Sequence, residues 1–317
     1  MIHPIPSGTR DVLPDEMREL RAITESLRGV FGARGYGEVY TPALEYAAEL
    51  DPAGAPPAYR LVDERGEPMV LRTDMTVPIA RVVGTRYATA EPPLRFSYFA
   101  HAYRAVRPQR GQPREFLQAG IELVGAPAPE GTVEALEILC QGLAAAGLRD
   151  FRVGLGDASL YPALLDAHGV AGEAREQVLH ELATRDFVGL ERELRAAGLS
   201  DAATAELVAA PQTRGAALPD AGGPLGDAVA GMRAVRDGLS DDVASRVIFD
   251  LGLSRGLGYY TGAIFEVYDP ALGAPVGGGG RYDDLLGRFG RPLPAVGFAL
   301  NVERLHLALT GEEGGPP

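Results

Sequence analysis

The chain has 317 residues, of which 46% are hydrophobic and 23% charged, and its formal net charge at pH 7 is −13. This composition is typical of a globular protein with a sizeable core, and the acidity argues against nucleic acid as a partner because phosphate backbones would repel it. All 30 basic residues are arginines, which excludes a Schiff-base lysine and a P-loop lysine. The single cysteine, Cys140, excludes an intramolecular disulfide and a thiolate cluster, and we expect neither a metal nor a cofactor.

The first half of the sequence alternates between helical and strand-like patterns. Apolar residues at helical spacing predict helices over 15–34, 76–83 and 131–146. Strand-like segments lie at 38–44, 60–63, 69–73, 95–103, 119–124 and 151–155. Residues 51–57 are rich in Pro, Ala and Gly, and they are predicted to form a loop.

In residues 159–240, Ala, Leu and Glu predominate at helical spacing. We predict a helical insertion of four or five helices there, within a core formed by 1–158 and 241–309, and a disordered tail at 310–317. Strand patterns return at 247–250, 264–268 and 295–299, and a last helix is predicted at 302–309. Because strands precede and follow the helical block with few strand–helix–strand crossovers, we predict an α+β fold on an antiparallel sheet.

Residues 71–76 read Leu-Arg-Thr-Asp-Met-Thr and place a carboxylate and a hydroxyl between a predicted strand and a predicted helix. Asp74 and Thr76 are suited to grip the ammonium group of a ligand at the end of a sheet. The competing interpretation is a helix N-cap, which both residue types form well and which the residue chemistry alone favours.

Four arginines fall within residues 104–114, around Pro and Gly residues between two predicted strands. They indicate an anion clamp that includes Arg104, since guanidinium groups make two-pronged contacts with phosphate and carboxylate, and the alternative is a solvated turn. On the following strand, Gln118 and Glu122 are four residues apart, so both side chains point to the same side. Such a polar strand face lies either towards solvent or along a pocket.

Glycines surround an arginine and a tyrosine pair in residues 253–268, where Arg255, Tyr259 and Tyr260 lie. Glycine permits close approach of the backbone to a ligand, although a glycine-rich turn with tyrosines covering the core gives the same pattern. Four further glycines at 277–280 indicate an anion-binding nest or a strand that approaches a ligand closely.

Taken in order, these segments resemble class II histidyl-tRNA synthetase over nearly the whole chain. The similar segments are 8–14 with 41–45 (the first motif), 104–118 (the second), 255–260 (the histidine-specific signature) and 278–304 (the third). The resemblance implies a class II aminoacyl-tRNA synthetase-like antiparallel sheet flanked by helices, with a helical insertion. It also implies a homodimer through the first-motif region and an ATP-binding role for the second-motif arginine.

The sequence departs from the synthetase pattern at several positions. Val106 stands where the second motif has its adenine-binding glutamate, the basic residue expected near Gln112 is missing, and Gly258 replaces the aspartate of the signature. The sequence ends after the third motif, so no carboxy-terminal anticodon-binding domain is expected. At these positions and at residues 71–76, the sequence resembles the ATP phosphoribosyltransferase regulatory subunit family. That family has the synthetase core without its charging activity.

This second resemblance implies a non-catalytic partner of a short-form ATP phosphoribosyltransferase, required for the first step of histidine biosynthesis and for feedback inhibition by histidine. The carboxylates, hydroxyl and amide would contact the ammonium and imidazole groups of histidine, the tyrosines would close the site, and the arginines would keep anion-binding positions. The implied pocket residues are Asp74, Thr76, Arg104, Gln118, Glu122, Arg255, Tyr259 and Tyr260, and none of them is catalytic.

Two other functions remain open from the sequence. One is an enzyme that activates histidine with ATP, as a truncated synthetase or an aminoacyl ligase; Val106 and Gly258 count against it, because activation needs ATP held in position for attack. The other is a dimeric scaffold without a ligand, which would leave the polar strand face at Gln118 and Glu122 unexplained. Since no segment has the ~20 apolar residues that span a bilayer and no signal core begins the chain, a cytoplasmic location is expected.

Overall fold

The computed structural model describes residues 5–47, 57–105, 113–218, 220–254 and 258–311. The helices in these ranges are α1 (Pro14–Ala33), α2 (Thr76–Thr85), α3 (Glu130–Ala146), α4 (Leu160–Ala167), α5 (Gly172–Thr184), α6 (Phe187–Ala196), α7 (Asp201–Ala209), α8 (Gly223–Asp237), α9 (Asp241–Ala244) and α10 (Val302–Thr310). The strands are β1 (Gly37–Glu38), β2 (Leu44–Tyr46), β3 (Arg60–Val62), β4 (Pro68–Leu71), β5 (Leu94–Tyr103), β6 (Glu115–Val124), β7 (Arg152–Asp157), β8 (Arg214–Gly215), β9 (Val247–Asp250), β10 (Ala263–Tyr268), β11 (Gly277–Arg281) and β12 (Ala295–Asn301).

The predicted helices are confirmed, and the predicted strands are confirmed with one correction. The segment 38–44, predicted as one strand, divides into β1 and β2, which belong to different sheets. Pro42 has no N–H to give to a strand ladder, and the Arg72 guanidinium donates to the carbonyl of Thr41 at 2.7 Å and to that of Pro42 at 3.2 Å. The two-residue strand β8 has no counterpart in the sequence prediction.

Two predicted irregular segments fall mostly outside the described residues. Of the loop predicted at 51–57, only residue 57 is described. Of the tail predicted at 310–317, only residues 310 and 311 are described, and Thr310 belongs to α10.

Nine strands form the main sheet in the order β1-β5-β6-β12-β11-β10-β7-β9-β8. Its neighbouring strands are antiparallel, except that β1 with β5 and β7 with β9 are parallel. The hairpin of β5 and β6 is the longest pairing, and its register sets Phe96 opposite Glu122. The α+β fold predicted from the sequence is therefore confirmed, on a sheet that is largely antiparallel.

Helices α1 and α3 cover one face of the main sheet. Leu27 and Phe31 of α1 are one helical turn apart and fully buried, and they belong to the same core as Ile121 and Leu123 of β6. Each such side chain contributes about 1.5–3 kcal/mol by leaving water. The amphipathic pattern of residues 15–34 is thus explained by one apolar stripe against the sheet.

The opposite face of the main sheet carries a second, smaller core. Phe96 and Tyr98 of β5 lie on this face and pack with Val77 and Ile79 of α2. Because side chains alternate along a strand, the β6 residues that point to this face are those at even positions, including Gln118 and Glu122. The second core therefore surrounds the polar strand face noted in the sequence.

Helices α4 to α8 lie between β7 and β9 in the chain, and their buried side chains join the core on the α3 side. This segment is fastened to the sheet edge: Arg214 of β8 pairs with Asp250 of β9 at 2.6 Å, and the N–H of Leu251 donates to the carbonyl of Thr213. The domain division at 159–240 stays a prediction. In the part of the chain that the structure describes, no helix has both the length and the apolarity needed to cross a bilayer.

Candidate functional site

Glu122 lies at the centre of the second core. It is 1% exposed, and its partner across the ladder on β12 is Gly297. A Cβ atom at position 297 would overlap the Glu122 carboxylate. The glycine therefore provides the space in which a buried carboxyl group can lie flat against the sheet.

Two hydroxyl groups from distant parts of the chain donate hydrogen bonds to this carboxyl group. Thr76, the first residue of α2, donates to Glu122 Oε1 at 2.8 Å. Tyr282, which directly follows β11, donates to Glu122 Oε2. Tyr282 was not among the predicted site residues. A buried carboxyl group needs partners for both oxygens, so the sequence implies a second donor. It does not indicate that this donor is Tyr282, which lies 160 residues further along the chain.

Asp74 supplies a second buried carboxyl group at the amino-terminal end of α2. Its Oδ1 accepts the backbone N–H of Val77 at 3.2 Å, so the helix-capping interpretation is correct as far as this contact goes. Asp74 also interacts electrostatically with Glu122 and with Arg104. Helix capping and a position in the cluster are thus combined in one residue.

Burial makes ionisation of both carboxyl groups costly. Loss of hydration raises the pKa of Glu122 to about 8; the hydroxyls of Tyr282 and Thr76 act in the opposite direction, and the neighbouring Asp74 charge raises it further. Loss of hydration also raises the pKa of Asp74, against the pull of the Val77 N–H and the Arg104 charge. At neutral pH the site therefore holds a proton that a bound cation would displace.

Tyrosine rings form one wall of the cluster. The ring centroid of Tyr259 lies 4.9 Å from that of Tyr260 and 5.8 Å from that of Tyr282, the latter in an edge-to-face arrangement. Burial and the charge of Asp74 hold the pKa of Tyr259 well above its usual value. Gly280 makes room for this wall, because a Cβ there would press on the Tyr260 ring.

Gln118 and Arg104 lie at the other end of the same strand face. Gln118 is 6% exposed, and its Oε1 has no hydrogen-bond partner within the described residues. The Arg104 guanidinium lies 5.0 Å from the ring centroid of Phe116, two positions before Gln118 on β6. A buried amide oxygen without a partner costs free energy, which a ligand donor could recover.

The structure brings together seven of the eight predicted site residues on one face of the sheet. They are Asp74, Thr76, Arg104, Gln118, Glu122, Tyr259 and Tyr260. Arg255, the eighth, lies outside the described residues, as do Val106 and Gln112. Gly258 is described and has a φ of 35°, a left-handed conformation that glycine adopts readily.

Arg114, one of the four arginines of the predicted clamp, has a different contact set. Its Nε donates to the carbonyl of Ser7 at 2.6 Å, its Nη1 donates to the hydroxyl of Tyr59, and its backbone N–H donates to Gly8. It fastens the amino-terminal segment to the β5–β6 hairpin. The anion-clamp interpretation of these arginines stays a prediction.

Two open grooves lie near the β1 edge of the main sheet, away from this cluster. One has a volume of about 680 Å³ and the other about 380 Å³, and Arg95 lines both. Arg95 is already ion-paired with Glu134 there at 2.9 Å. We place the candidate site at the enclosed cluster around Glu122, because buried groups with displaced pKa values converge there.

Comparison with known proteins agrees with this architecture. The histidyl-tRNA synthetase family model matches residues 8–305. A histidyl-tRNA synthetase structure from Nostoc sp. PCC 7120 is similar, with a TM-score of 0.78 over 98% of this chain and 75% of that one. At 21% identity this similarity supports the fold alone. The predicted class II synthetase-like fold is thereby confirmed.

More similar proteins bear a regulatory name. The ATP phosphoribosyltransferase regulatory subunits of Symbiobacterium thermophilum and Moorella thermoacetica are 42% and 41% identical, each over 96% of this chain and over 79% and 81% of their own lengths. A Bacillus halodurans structure described as an ATP phosphoribosyltransferase regulatory subunit/histidyl-tRNA synthetase is 32% identical, with a TM-score of 0.87 over 99% of this chain and 85% of that one. The chain belongs to the histidyl-tRNA synthetase family and, within it, to the ATP phosphoribosyltransferase regulatory subunits.

Proposed function

We propose that this chain is the histidine-sensing, non-catalytic subunit of a cytoplasmic ATP phosphoribosyltransferase. In this role it activates a short-form catalytic subunit in the first step of histidine biosynthesis and mediates feedback inhibition by histidine. The observation that carries the proposal is the buried pair of carboxyl groups, Asp74 and Glu122, with the unpartnered amide oxygen of Gln118 on the same strand face.

The chemistry of histidine fits this set of groups. Its α-ammonium is a cation that two carboxylates can neutralise, and its imidazole carries an N–H that an amide or carboxylate oxygen can accept. The tyrosine wall at Tyr259 and Tyr260 offers ring faces to a flat imidazole. Arg104 supplies a cation on the same strand face, which suits the carboxylate of an amino acid.

The sensing role is favoured over histidine activation by the residues that differ from the synthetase pattern. Adenylate formation requires ATP to be held for in-line attack, and the substitutions at Val106 and Gly258 remove side chains that serve this purpose in the resembling synthetases. Binding of the amino acid needs only the carboxyl, amide and tyrosine groups. The relatives' regulatory name points in the same direction.

Calorimetry and an exchange assay test the proposal together. Titration of the purified chain with histidine should give saturable binding, and Asp74→Asn should weaken it, with Asp63→Asn on the exposed β3–β4 turn as a matched control that leaves it unchanged. Histidine-dependent ATP–pyrophosphate exchange should be absent. Robust exchange would establish the histidine-activating enzyme instead, and absence of histidine binding would refute the sensing role.

We also propose a homodimer through the first-motif region. Within the described residues, large apolar side chains that are strongly exposed concentrate in the first 62 positions: Ile5, Val12, Leu13, Tyr40, Leu44, Tyr46, Leu61 and Val62. Exposed apolar side chains that collect in one part of a chain are typical of protein–protein contacts. Sedimentation analysis of the isolated chain tests this part, and a monomer at micromolar concentration would refute it.

A further inference from the structure

The three-stranded sheet near the site has an apolar outer side, and a buried carboxylate lies on its inner side. Its order is β2-β4-β3, and its register sets Tyr46 opposite Met69 and Met69 opposite Leu61, so these three side chains share one face. Tyr46 is 53% exposed and Leu61 is 41% exposed. On the inner side, Glu45 is buried.

Glu45 is held by an arginine of the helix that begins at the site. Arg81 of α2 donates from Nη2 to Glu45 Oε1 at 2.7 Å and from Nε to Oε2 at 2.9 Å, a two-pronged ion pair. The Glu45 side chain is 5% exposed and that of Arg81 is 26% exposed. Because the pair is largely shielded from water, its geometry is held far more firmly than that of a surface ion pair.

The same helix carries two residues of the candidate site at its amino-terminal end. Asp74 accepts the N–H of Val77 in the first turn of α2, and Thr76 begins the helix. Arg81 lies about 7.5 Å from Thr76 along the axis, at a rise of about 1.5 Å per residue. The carboxy-terminal end of the helix is tightly seated, since a Cβ atom at Gly84 would overlap the backbone of Phe289. A displacement of Asp74 or Thr76 by a ligand would therefore tilt α2 about this close contact, and Arg81, which lies between the two ends, would move with it.

The small sheet is connected to α2 at two points. One is the chain itself, because only Arg72 and Thr73 separate β4 from Asp74. The other is the ion pair between Arg81 and Glu45 on β2. A single connection would let the sheet stay in place while the helix moves. Two connections couple the tilt of the sheet to that of the helix, about the anchor that Arg72 Nε makes to the carbonyl of His101 on β5 at 2.7 Å.

We infer that the Arg81–Glu45 ion pair transmits ligand occupancy from the Asp74–Glu122 site to the small sheet. The inference rests on the proposed function and specifies how ligand binding in the pocket affects a distant part of the chain. Arg81 and Glu45 are positioning residues that do not contact the ligand. The position of the small sheet then couples histidine binding to the response of the catalytic subunit. Without the Arg81–Glu45 ion pair, histidine would still bind but the catalytic subunit would no longer respond.

The sequence offers a clean optical reporter for the test. The chain has no tryptophan, so Tyr46→Trp places a single fluorophore on the outer face of the small sheet. The test variant adds Arg81→Met together with Glu45→Gln, because removing both charges avoids leaving one of them buried and unpaired. The control variant adds Arg86→Met instead, at an exposed arginine directly after the same helix.

Each variant is titrated with histidine by calorimetry and by fluorescence. We expect all three to bind histidine, the reporter and control proteins to change their fluorescence on binding, and the Arg81→Met, Glu45→Gln protein to lose that change. In the complex with the catalytic subunit, the same double substitution should abolish inhibition by histidine.

Three results would overturn the inference. They are a retained fluorescence change in the double variant, a reporter protein that binds histidine without any change, and loss of histidine binding in the double variant, which would make the pair part of the pocket. If the reporter protein and the unmodified chain both fail to bind histidine by calorimetry, the proposed function itself is refuted.

Discussion

Protonation of Glu122 should make the stability of the unliganded protein fall as the pH rises. The carboxyl group has a pKa of about 8 in the folded chain because it is buried, against 4.5 for an unperturbed glutamate. Between these values the folded state holds a proton that the unfolded state has released. A rise in pH therefore favours unfolding, and this effect ends only when Glu122 ionises in the folded state as well, above pH 8.

The magnitude follows from the pKa difference. At pH 5 the unfolded glutamate is already mostly ionised, and the folded one keeps most of its proton up to pH 7, so the free energy of unfolding falls by roughly 2–3 kcal/mol between pH 5 and pH 7. Glu122→Gln cannot ionise and should lack this part of the slope. Asp74 has a raised pKa too, which leaves a residual slope of the same sign in the variant.

Urea denaturation followed by far-ultraviolet circular dichroism at pH 5, 6 and 7 measures the effect. Glu134→Gln is the matched control: its hydrogen bond from Arg95 lowers the pKa of that carboxyl, so the group is ionised in both states above pH 5. The control should shift the curve without changing its slope in this range. Parallel curves for the unmodified chain and Glu122→Gln would refute the reasoning.

Ligand binding should reverse the protonation. A cation beside Glu122 stabilises the carboxylate, so histidine binding at pH 7.5 should release about 0.8 proton per site from a group with a pKa near 8. The observed binding enthalpy should then differ between phosphate and Tris buffers in proportion to their ionisation enthalpies. Glu122→Gln should remove this buffer dependence, and an equal dependence in both proteins would exclude Glu122 as the proton source.

Three further predictions concern the residues around Glu122. Gly297→Ala should cost about 1–3 kcal/mol of stability in urea denaturation and weaken histidine binding, because its methyl group occupies the place of the carboxylate, whereas Gly29→Ala in open space should not destabilise the chain. Tyr282→Phe removes a donor that lowers the pKa of Glu122, so it should reduce the free energy of unfolding by about 1 kcal/mol and move proton release to higher pH. An unchanged pH profile of proton release would contradict the contact. Asp74→Asn keeps a side chain that caps helices, so thermal melting should show little loss while calorimetry shows at least about tenfold weaker histidine binding, the expected cost of a charge-assisted bond.

The parts of the fold and site that follow local rules were predictable from the sequence. Period-two alternation on one strand fixed the shared direction of Gln118 and Glu122, and 3.6-residue periodicity located the helices. The contact of Tyr282 with Glu122 was not predictable in this way, because it joins positions 160 residues apart across three strands. The division of segment 38–44 into two strands was missed for a similar reason. It depends on the guanidinium of Arg72, a residue that directly follows β4.

The arrangement around Glu122 explains how one proton can affect several elements of the structure. Its carboxyl group accepts hydrogen bonds from Thr76 at the start of α2 and from Tyr282 after β11, and Gly297 of β12 lies against it. When a bound cation displaces the proton, both accepted bonds become charge-assisted and strengthen together. Under the proposed function, ionisation would draw α2 towards the segment after β11, and the Arg81 end of α2 would move with it. Ligand charge would in this way be converted into a helix displacement without any chemical step.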